Sequence, residues 1–523
     1  LTAKFPEVMT QSVSGYVTAL LGQYAADPRG AWKAKDAAIY LVISLTVKSK
    51  SNVKGATETN ELVSVTDFFS QQVLPELAAA ASGGTGGDVG RAVLYADALK
   101  FLTIFRSQLP KAMVVPALPA IVQLLTAEEN VVHTYAANCL ERLLTTKELR
   151  AAGGGPRYNA ADLQAMVHPL LTNLFGVFAL PDSQENEYAM KAVMRTIGFL
   201  GAGIKPVAGV CLQQLSAMVM ETCKNPRNPT FSHYLFESVA ALLRHADDPA
   251  LIGTFEQLLF PPFQHVLQQD VVEFAPYVFQ LLSQMIEIHP AQLPPAYMGI
   301  FPALLVPMLW ERQANVTPLV RLLEAYLRKA PVEVSSAAYL QGILGVFQKL
   351  VASRAQDHQG FFIVNAFVEC LPLPAWIDHM PAIWGLLFSR LQTSKTVKFS
   401  KCFVVFLSLL AVKHGVSTCS DTMAKVQPGV FEMVVTGVVA DAIGSIAGVS
   451  EEKVVAVAGA QFLTECPSII AMDAPWGKLL TAVVSMLEKP EEDKAEDDDA
   501  DLEEMEAKAG YSAAYSQLHN AAR

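Results

Sequence analysis

The chain has 523 residues, of which 52% are apolar and only 17% carry a charge, and its formal net charge is −11. Eleven acids and one lysine between Glu491 and Glu506 account for −10 of this charge, which leaves the rest of the chain at −1. Because no basic surplus remains, the composition argues against a nucleic-acid-binding protein. The length would allow about three or four domains, but no flexible linker is predicted before residue 490.

The stretch from Ala291 to Trp310 carries no charge over twenty positions, which is long enough to cross a membrane. Four prolines interrupt it, at Pro294, Pro295, Pro302 and Pro307. Since they break the helix that a lipid environment requires, we expect no membrane insertion.

Seven cysteines lie singly within or beside predicted helices, without a CxxC pair: Cys139, Cys211, Cys223, Cys370, Cys402, Cys419 and Cys466. An odd and scattered set fits a reducing compartment better than a disulfide framework. The chain does not begin with Met and shows no signal peptide, so we expect Leu1 to be the edge of a fragment.

In chain order, the sequence predicts a series of amphipathic helices of about 15–20 residues, separated by short turns rich in Pro, Gly and Asn. The helix that begins near Val89 places Leu94, Phe101 and Phe105 on one stripe and Lys100 on the other side. Helices in such a series bury their stripes against neighbouring pairs rather than around one core. The predicted fold is therefore all-α, a right-handed α-solenoid superhelix of HEAT repeats.

The second helix of each predicted hairpin sets the repeat. We place the starts of these helices near Trp32, Val89, Asn130, Gln184, Thr230, Val271, Asn315, His358, Thr396 and Glu451. Most intervals fall between about 38 and 46 residues, which matches the period of roughly 40–47 residues in HEAT repeats. Three longer intervals predict insertions: one with Lys48–Val63 and Gly83–Gly87, one at Lys147–Tyr158, and one within Thr418–Ser450.

The predicted solenoid occupies residues 1–489 and contains about ten or eleven helical hairpins. Residues 490–506 are predicted to form an acidic, disordered linker, because they cannot bury enough apolar surface to fold. Residues 507–523 are predicted to begin a C-terminal capping repeat, with Tyr511, Ala514, Tyr515 and Leu518 on one stripe.

A search for catalytic chemistry finds no complete motif. The glycine loops Gly83–Gly87 and Gly153–Gly155 lack the Gly-Lys-Ser/Thr ending of a phosphate loop. His133 follows Glu129 by four residues but has no second histidine as in HExxH, so we expect a hydrogen-bonded helix histidine. Gly444–Gly448 misses the GxSxG spacing by one position. We predict no catalytic, cofactor-binding or metal-binding residues.

Two polar features are candidates for partner binding. The first is the insertion that carries Lys48, Lys50 and Lys54, followed by Glu58 and Glu61, which is either a tolerated surface loop or a contact site. The second is a charged ladder assigned to second helices, which line one curved face of a solenoid. Its residues are Glu273, Glu311, Arg312, Asn315, Arg321, Lys395, Lys398 and Lys401. The ladder is either solvated surface or partner contact.

Eight ordered strings carry a resemblance to a known family: Trp32–Val42, Val131–Leu144, Ser183–Thr196, Glu273–Gln280, Leu309–Leu323, Gly345–Ala352, Asp357–Phe361 and Leu391–Phe399. With them the chain resembles the cellular apoptosis susceptibility family, the importin-α re-exporters of the importin-β (karyopherin) superfamily. The similarity runs from about residue 11 to Gln517. Eight strings in order are specific, although any one alone would be weak.

The resemblance implies a HEAT-repeat superhelix that wraps importin-α together with Ran-GTP and exports importin-α from the nucleus. It implies no cofactor, shuttling between nucleus and cytoplasm, and contacts with FG-repeat proteins of the nuclear pore. In the family, an insertion after the helix that matches Trp32–Val42 contacts Ran, and in this sequence it corresponds to Lys48–Glu61. Its lysines and glutamates would make charge-assisted contacts.

The sequence departs from the family at both ends. The N-terminal repeats that grip the nucleotide-sensitive face of Ran are missing, and the repeat after Gln517 is cut short. We expect this piece to keep some partner surface without distinguishing GTP from GDP by itself. The residues alone also allow a static HEAT scaffold, such as a phosphatase regulatory subunit or a coat adaptor, which needs no lysine-bearing insertion.

Overall fold

A computed structural model of the chain describes residues 4–83, 86–148, 154–246, 248–290, 292–488 and 517–522. These residues form two compact units. The first extends to Phe274 and also includes residues 517–522, and the second begins at Ala275. The sequence did not predict this boundary.

The first unit is built from helices that follow one another along the chain. Those of seven residues or more are α1 (Pro6–Ala26), α2 (Trp32–Thr46), α3 (Leu74–Gly83), α4 (Val89–Phe105), α5 (Leu118–Leu124), α6 (Asn130–Leu144), α7 (Val167–Val177), α8 (Glu187–Leu200), α9 (Ala208–Thr222), α10 (Pro229–His245) and α11 (Pro249–Gln268). Between α2 and α3, two short strands form an antiparallel β-hairpin, β1 (Val47–Ser51) and β2 (Gly55–Thr59).

The second unit continues the series. Its helices of seven residues or more are α12 (Ala275–Ile288), α13 (Pro295–Leu304), α14 (Gln313–Lys329), α15 (Ala337–Ala352), α16 (Asp357–Cys370), α17 (Met380–Ser394), α18 (Val397–His414), α19 (Val416–Ala424), α20 (Val449–Glu465) and α21 (Asp473–Leu487). Shorter helical turns join them, including a π-helical turn at Val435–Val439 within the third predicted insertion.

The even-numbered helices are the second helices of the predicted hairpins. Their observed starts, from Trp32 to Val449, lie within four residues of the predicted ones, which confirms the helical repeat. Capping side chains explain several helix starts. The Asp88 carboxylate accepts hydrogen bonds from the backbone N–H groups of Gly90 and Arg91. Backbone N–H groups in the first turns of α8, α10 and α18 donate in the same way to the side chains of Asn186, Asn228 and Thr396. Such caps satisfy N–H groups that have no partner inside the helix.

Second helices pack side by side. In the first unit α2 contacts α4, α4 contacts α6, α6 contacts α8, and α8 contacts α10, and we call these five helices the second-helix layer. The predicted stripe of α4 is buried in it, with Leu94, Phe101 and Phe105 almost inaccessible to solvent, whereas Lys100 is half-buried. Burial of such side chains contributes about 1.5–3 kcal/mol each before entropy is counted, so stacking dominates stability.

Apolar stretches in the described residues belong to packed helices. The segment Glu187–Thr222, which contains α8 and α9, has the length and apolar composition of a membrane span. The pair α18 and α19 has them too if the two helices, which meet at an angle of 117°, are counted as one span. The stretch that the sequence singled out is broken into α13 and a 3₁₀ turn at Pro307–Glu311, as its prolines predict.

We predict that Leu323→Ala lowers the free energy of unfolding of the second unit by about 2–5 kcal/mol, because Leu323 is fully buried on α14 and truncation leaves a cavity. Urea unfolding followed by circular dichroism measures this change. The control is Val332→Ala, at a position that is 80% exposed, which should change the value by less than about 0.5 kcal/mol. Equal effects of the two substitutions would contradict the assigned packing.

Candidate partner-binding surface

The predicted insertion Lys48–Val63 folds as a β-hairpin rather than as an irregular loop. Val47 pairs with Thr59, Lys50 with Ala56 and Ser51 with Gly55, and the register shifts on either side of Ser49. The Thr57 hydroxyl donates to Ser49 Oγ across the strands at 2.9 Å. A two-stranded hairpin alone is marginally stable in water, so its order must come from the helices beneath it.

The turn of the hairpin is fastened to α4 and α6 through its backbone carbonyls. Arg106 Nη2 donates to the carbonyls of Asn52 and Val53, both at 2.7 Å, and Arg142 Nη1 donates to Asn52 at 3.3 Å. Gln108 donates to the carbonyl of Ala56 at 2.9 Å, and the Ser107 hydroxyl donates to that of Lys54. Because an arginine carries five donors in a rigid fork, one side chain can hold two adjacent carbonyls.

Gly55 brings the hairpin close to α4. Its φ is +75°, and a Cβ at this position would lie 2.3 Å from the Ile104 carbonyl oxygen. Only glycine combines this conformation with this approach. The close contact sets the height of the turn above the helix.

The base of the hairpin is fastened to the first helical pair by Asn60. Its backbone N–H donates to the Thr46 carbonyl at 2.8 Å, and its side-chain amide donates to Thr10 Oγ1 at 2.9 Å and to the Leu45 carbonyl. The hairpin is thus held at both ends.

Backbone anchoring leaves the predicted charged side chains outside. Lys48, Lys50, Lys54, Glu58 and Glu61 are all exposed. A surface whose backbone is already ordered loses less conformational entropy when a partner binds, so the arrangement suits recognition of a charged surface.

Arg157, within the second predicted insertion, binds the segment after α4 that holds the hairpin. It donates to the carbonyls of Arg106 at 2.8 Å, Leu109 at 3.0 Å and Ser107 at 3.2 Å, and it pairs with Glu148. These bonds satisfy carbonyls at the C-terminal end of α4, where helical partners are lacking. Sequence reasoning missed Arg106 and Arg157, because nothing local distinguishes them from solvated arginines.

Polar contacts link some of the neighbouring second helices. Between α2 and α4, Lys100 Nζ donates to the Tyr40 hydroxyl at 2.9 Å and lies 4.4 Å from the centre of that ring. Burial, together with a hydrogen bond and the negative charge of Asp36, raises the pKa of Asp97 to about 7. Asp97 therefore binds a proton more readily than an ordinary aspartate does.

Between α6 and α8 one buried carboxylate meets three basic side chains. Glu141 lies 3.1 Å from Arg195, 3.3 Å from Arg142 and 3.9 Å from Lys191. The Lys191 ammonium also lies 5.4 Å from the centre of the Tyr234 ring on α10. The same Arg142 contacts the hairpin, so this charged cluster adjoins the anchor of the hairpin.

The predicted charged ladder is only partly on second helices. Glu273, Glu311, Arg312 and Lys395 lie in the turns that precede α12, α14 and α18, so their assignment to helices was wrong. Helical periodicity cannot place polar residues at helix starts, where boundaries are least certain. Glu273 also belongs to the first unit, whereas the rest of the ladder belongs to the second.

The remaining ladder residues differ in accessibility. Asn315 is 1% exposed and donates to the Leu309 carbonyl at 3.2 Å, which gives it an internal role in place of the predicted surface one. The Arg321 guanidinium donates to both carboxylate oxygens of Glu287, at 3.2 and 2.9 Å, and so connects α14 to α12. Lys398 is exposed on α18 and Lys401 is half-buried there.

The histidine prediction is confirmed. His133 lies in α6, after the N-terminal cap residue Glu129, and its ring nitrogens contact the Ala127 carbonyl at 2.9 Å and Ser183 Oγ at 2.7 Å. Burial lowers the pKa of His133. Among the described residues, no group of three or more His, Cys, Asp or Glu side chains could hold a metal ion. The acidic run and most of the predicted cap lie outside the described residues.

Comparison with known families gives consistent matches over the whole chain. Residues 141–523 match the family model described as "CAS/CSE protein, C-terminus", and residues 1–140 match the model described as "Cse1". The chain is 43% identical to exportin-2 of Oreochromis niloticus over 98% of its length, and 41% identical to exportin-2 of Homo sapiens over the same share. It spans about half the length of these relatives, 52% in both cases.

Solved structures give the same fold. The structure titled "The exportin Cse1 in its cargo-free, cytoplasmic state" matches 92% of this chain and 50% of its own, with a TM-score of 0.81 and 26% identity. A structure of importin beta matches with a TM-score of 0.58 and 11% identity over 91% of this chain, which shows the fold alone. The predicted HEAT-repeat solenoid is thereby confirmed.

We predict that Gly55→Ala detaches the turn of the hairpin, because the new Cβ would collide with the Ile104 carbonyl. Trypsin should then cut faster after Lys48, Lys50 and Lys54, which limited proteolysis with mass spectrometry measures. The matched control is Gly87→Ala: Gly87 has a similar φ of +76°, but a Cβ there meets nothing within 4 Å. Equal cleavage of the two variants would contradict the close approach.

We predict that Asp97→Asn reduces the loss of stability between about pH 5 and pH 8. The raised pKa means that folded Asp97 binds a proton more tightly than unfolded Asp97, so its contribution to stability falls as pH rises towards 7. Asparagine does not titrate. Urea midpoints at both pH values measure the change, with the exposed Asp421→Asn as the control. A pH dependence equal to that of the unmodified protein would contradict the raised pKa of Asp97.

Proposed function

The chain belongs to the exportin-2 (CAS/CSE1) family, and on that premise we propose that it is part of a nuclear export receptor for importin-α. The receptor would carry importin-α out of the nucleus in a complex with Ran-GTP and release it after Ran hydrolyses the GTP. The receptor itself would have no catalytic activity and would need no cofactor. Its work would be done by shaped and charged surfaces.

The single observation that carries the assignment of a binding surface is the anchored hairpin. Arg106, Arg142, Ser107 and Gln108 hold its backbone, while the side chains of its three lysines remain exposed. An insertion that only filled space would need neither backbone anchoring at both ends nor clustered lysines. We assign the hairpin, with Glu58 and Glu61, to the contact with Ran.

Within the first unit, other polar groups of the second-helix layer would contribute to the contact with Ran. The cluster around Glu141 shares Arg142 with the anchor of the hairpin, which places its charged groups close to the proposed contact. The exposed ladder residues Glu273, Glu311, Lys395 and Lys398, with the half-buried Arg312 and Lys401, are proposed as secondary contacts.

Neighbour-to-neighbour stacking suits this function mechanically. Since each hairpin contacts mainly the adjacent hairpins, small rotations add along the stack and a partner can shift the population of conformations at modest cost. We further propose shuttling between nucleus and cytoplasm, with transient contacts to FG-repeat proteins in the nuclear pore. The domain plan of a solenoid to residue 489, a linker at 490–506 and the start of a capping repeat stays a prediction.

We predict that the triple change Lys48→Glu, Lys50→Glu and Lys54→Glu weakens Ran-GTP-dependent binding of importin-α by at least about tenfold, since like charges would replace complementary ones. The measurement is a pull-down, followed by titration, of the full-length protein with importin-α in the presence of Ran-GTP or Ran-GDP.

The control triple change, Lys224→Glu, Lys425→Glu and Lys453→Glu, alters the same charge at exposed positions outside the hairpin and should leave binding within about twofold. Binding that ignores the nucleotide on Ran would contradict the export function and favour a static scaffold. Nucleotide-dependent binding that is insensitive to the hairpin would contradict only the assigned contact.

A further inference from the structure

A short segment near the end of the chain docks on a helix far upstream. Residues 517–522 belong to the first unit and contact α10, although 282 positions separate His519 from Glu237. Contacts this distant in sequence cost loop-closure entropy, so they form only where specific interactions offset that cost. The proposed receptor function does not use this contact.

The polar part of the contact centres on Glu237. Its carboxylate, which is 0% exposed, accepts hydrogen bonds from the backbone N–H of His519 and, at 3.0 Å, from that of Asn520. The Asn520 side-chain amide donates a third bond at 2.9 Å. Two successive N–H groups and an amide thus surround one carboxylate, the arrangement by which backbone groups bind anions elsewhere.

Glu237 depends on these three bonds. A buried carboxylate is costly unless hydrogen bonds or a counter-charge compensate for lost water. His233 Nε2 lies 3.8 Å away on the same helix, but burial lowers the pKa of His233, so the ring does not supply a positive charge at neutral pH. The segment therefore provides the donors that allow Glu237 to be buried as a carboxylate.

The apolar part of the contact uses two residues three positions apart. Leu518 is 0% exposed and Ala521 is 1% exposed, whereas His519 lies between them at the surface. The contact thus depends on two buried side chains, those of Leu518 and Ala521, and on the donors of residues 519 and 520. These donors are the two backbone N–H groups and the Asn520 amide. Residue 519 is free to vary as far as its side chain is concerned.

We propose that this surface of α10 is a peptide-binding site with Glu237 as its specificity-determining residue, and that its occupant is the segment 517–522 of the same chain. The required ligand is a Leu-x-Asn-Ala turn with two successive backbone N–H groups that donate to Glu237. The segment is bound in cis, and we call this contact the tether. The same peptide offered in trans competes for the site.

Hydrogen-exchange mass spectrometry of the full chain tests the tether. Glu237→Gln keeps the shape of the side chain but removes its charge, and it should increase exchange in residues 517–522 by about 10- to 100-fold. Leu518→Asp should have the same effect without altering α10. The control Glu221→Gln changes an exposed glutamate on α9 and should leave exchange unchanged. A segment that exchanges as fast in the unmodified protein as in Leu518→Asp would overturn the tether.

A labelled synthetic peptide of residues 511–523 tests the binding site by fluorescence anisotropy. It should bind the variant with Leu518→Asp and Asn520→Ala, whose own segment is disabled. It should bind the unmodified protein at least about tenfold more weakly, because the cis segment acts at high effective concentration. Adding Glu237→Gln to the disabled variant should abolish binding. Equal binding to all three proteins, or none to the disabled variant up to about 1 mM, would overturn the site. These outcomes do not depend on importin-α or Ran.

Discussion

Side-by-side packing of second helices is the interaction on which the rest of the structure depends. Every even-numbered helix of the first unit buries its apolar stripe against its neighbours, so these helices form a continuous layer. The groups available for partner binding include the contact between Lys100 and Tyr40 and the charged cluster of Glu141. The β-hairpin that is anchored to this layer is another. A layer of this kind offers an extended surface, which suits a protein that binds other proteins.

The β-hairpin uses that layer as a foundation. Its strands contribute few apolar residues, and its order depends on donors that α4 and α6 present at their C-terminal ends, where Arg106 and Arg142 reach the turn. Because Arg157 in turn holds the carbonyls that follow α4, two of the predicted insertions cooperate at one place. The hairpin lysines are thus presented on ordered backbone, which is the physical basis of the proposed contact.

Helices could be predicted from the sequence, whereas contacts between distant residues could not. Periodic apolar residues in α4 and caps such as Asp88 are local, so helix starts were predicted within four residues. The strands at 47–51 and 55–59 lack apolar alternation, and the bonds that order them come from about fifty residues downstream. Asn315 was predicted at the surface because its side chain is polar, but its amide donates to the Leu309 carbonyl inside the fold. The buried Glu237 gave no local sign of its distant partner.

The central claim is that partners bind the hairpin and the second-helix layer. Cross-linking mass spectrometry of the full-length protein bound to importin-α and Ran-GTP tests it most directly. We predict cross-links and protection at the hairpin lysines and along the second-helix layer, with the first helices remaining accessible. Partner contacts confined to the first helices, with Lys48, Lys50 and Lys54 equally reactive in the free and bound protein, would contradict it.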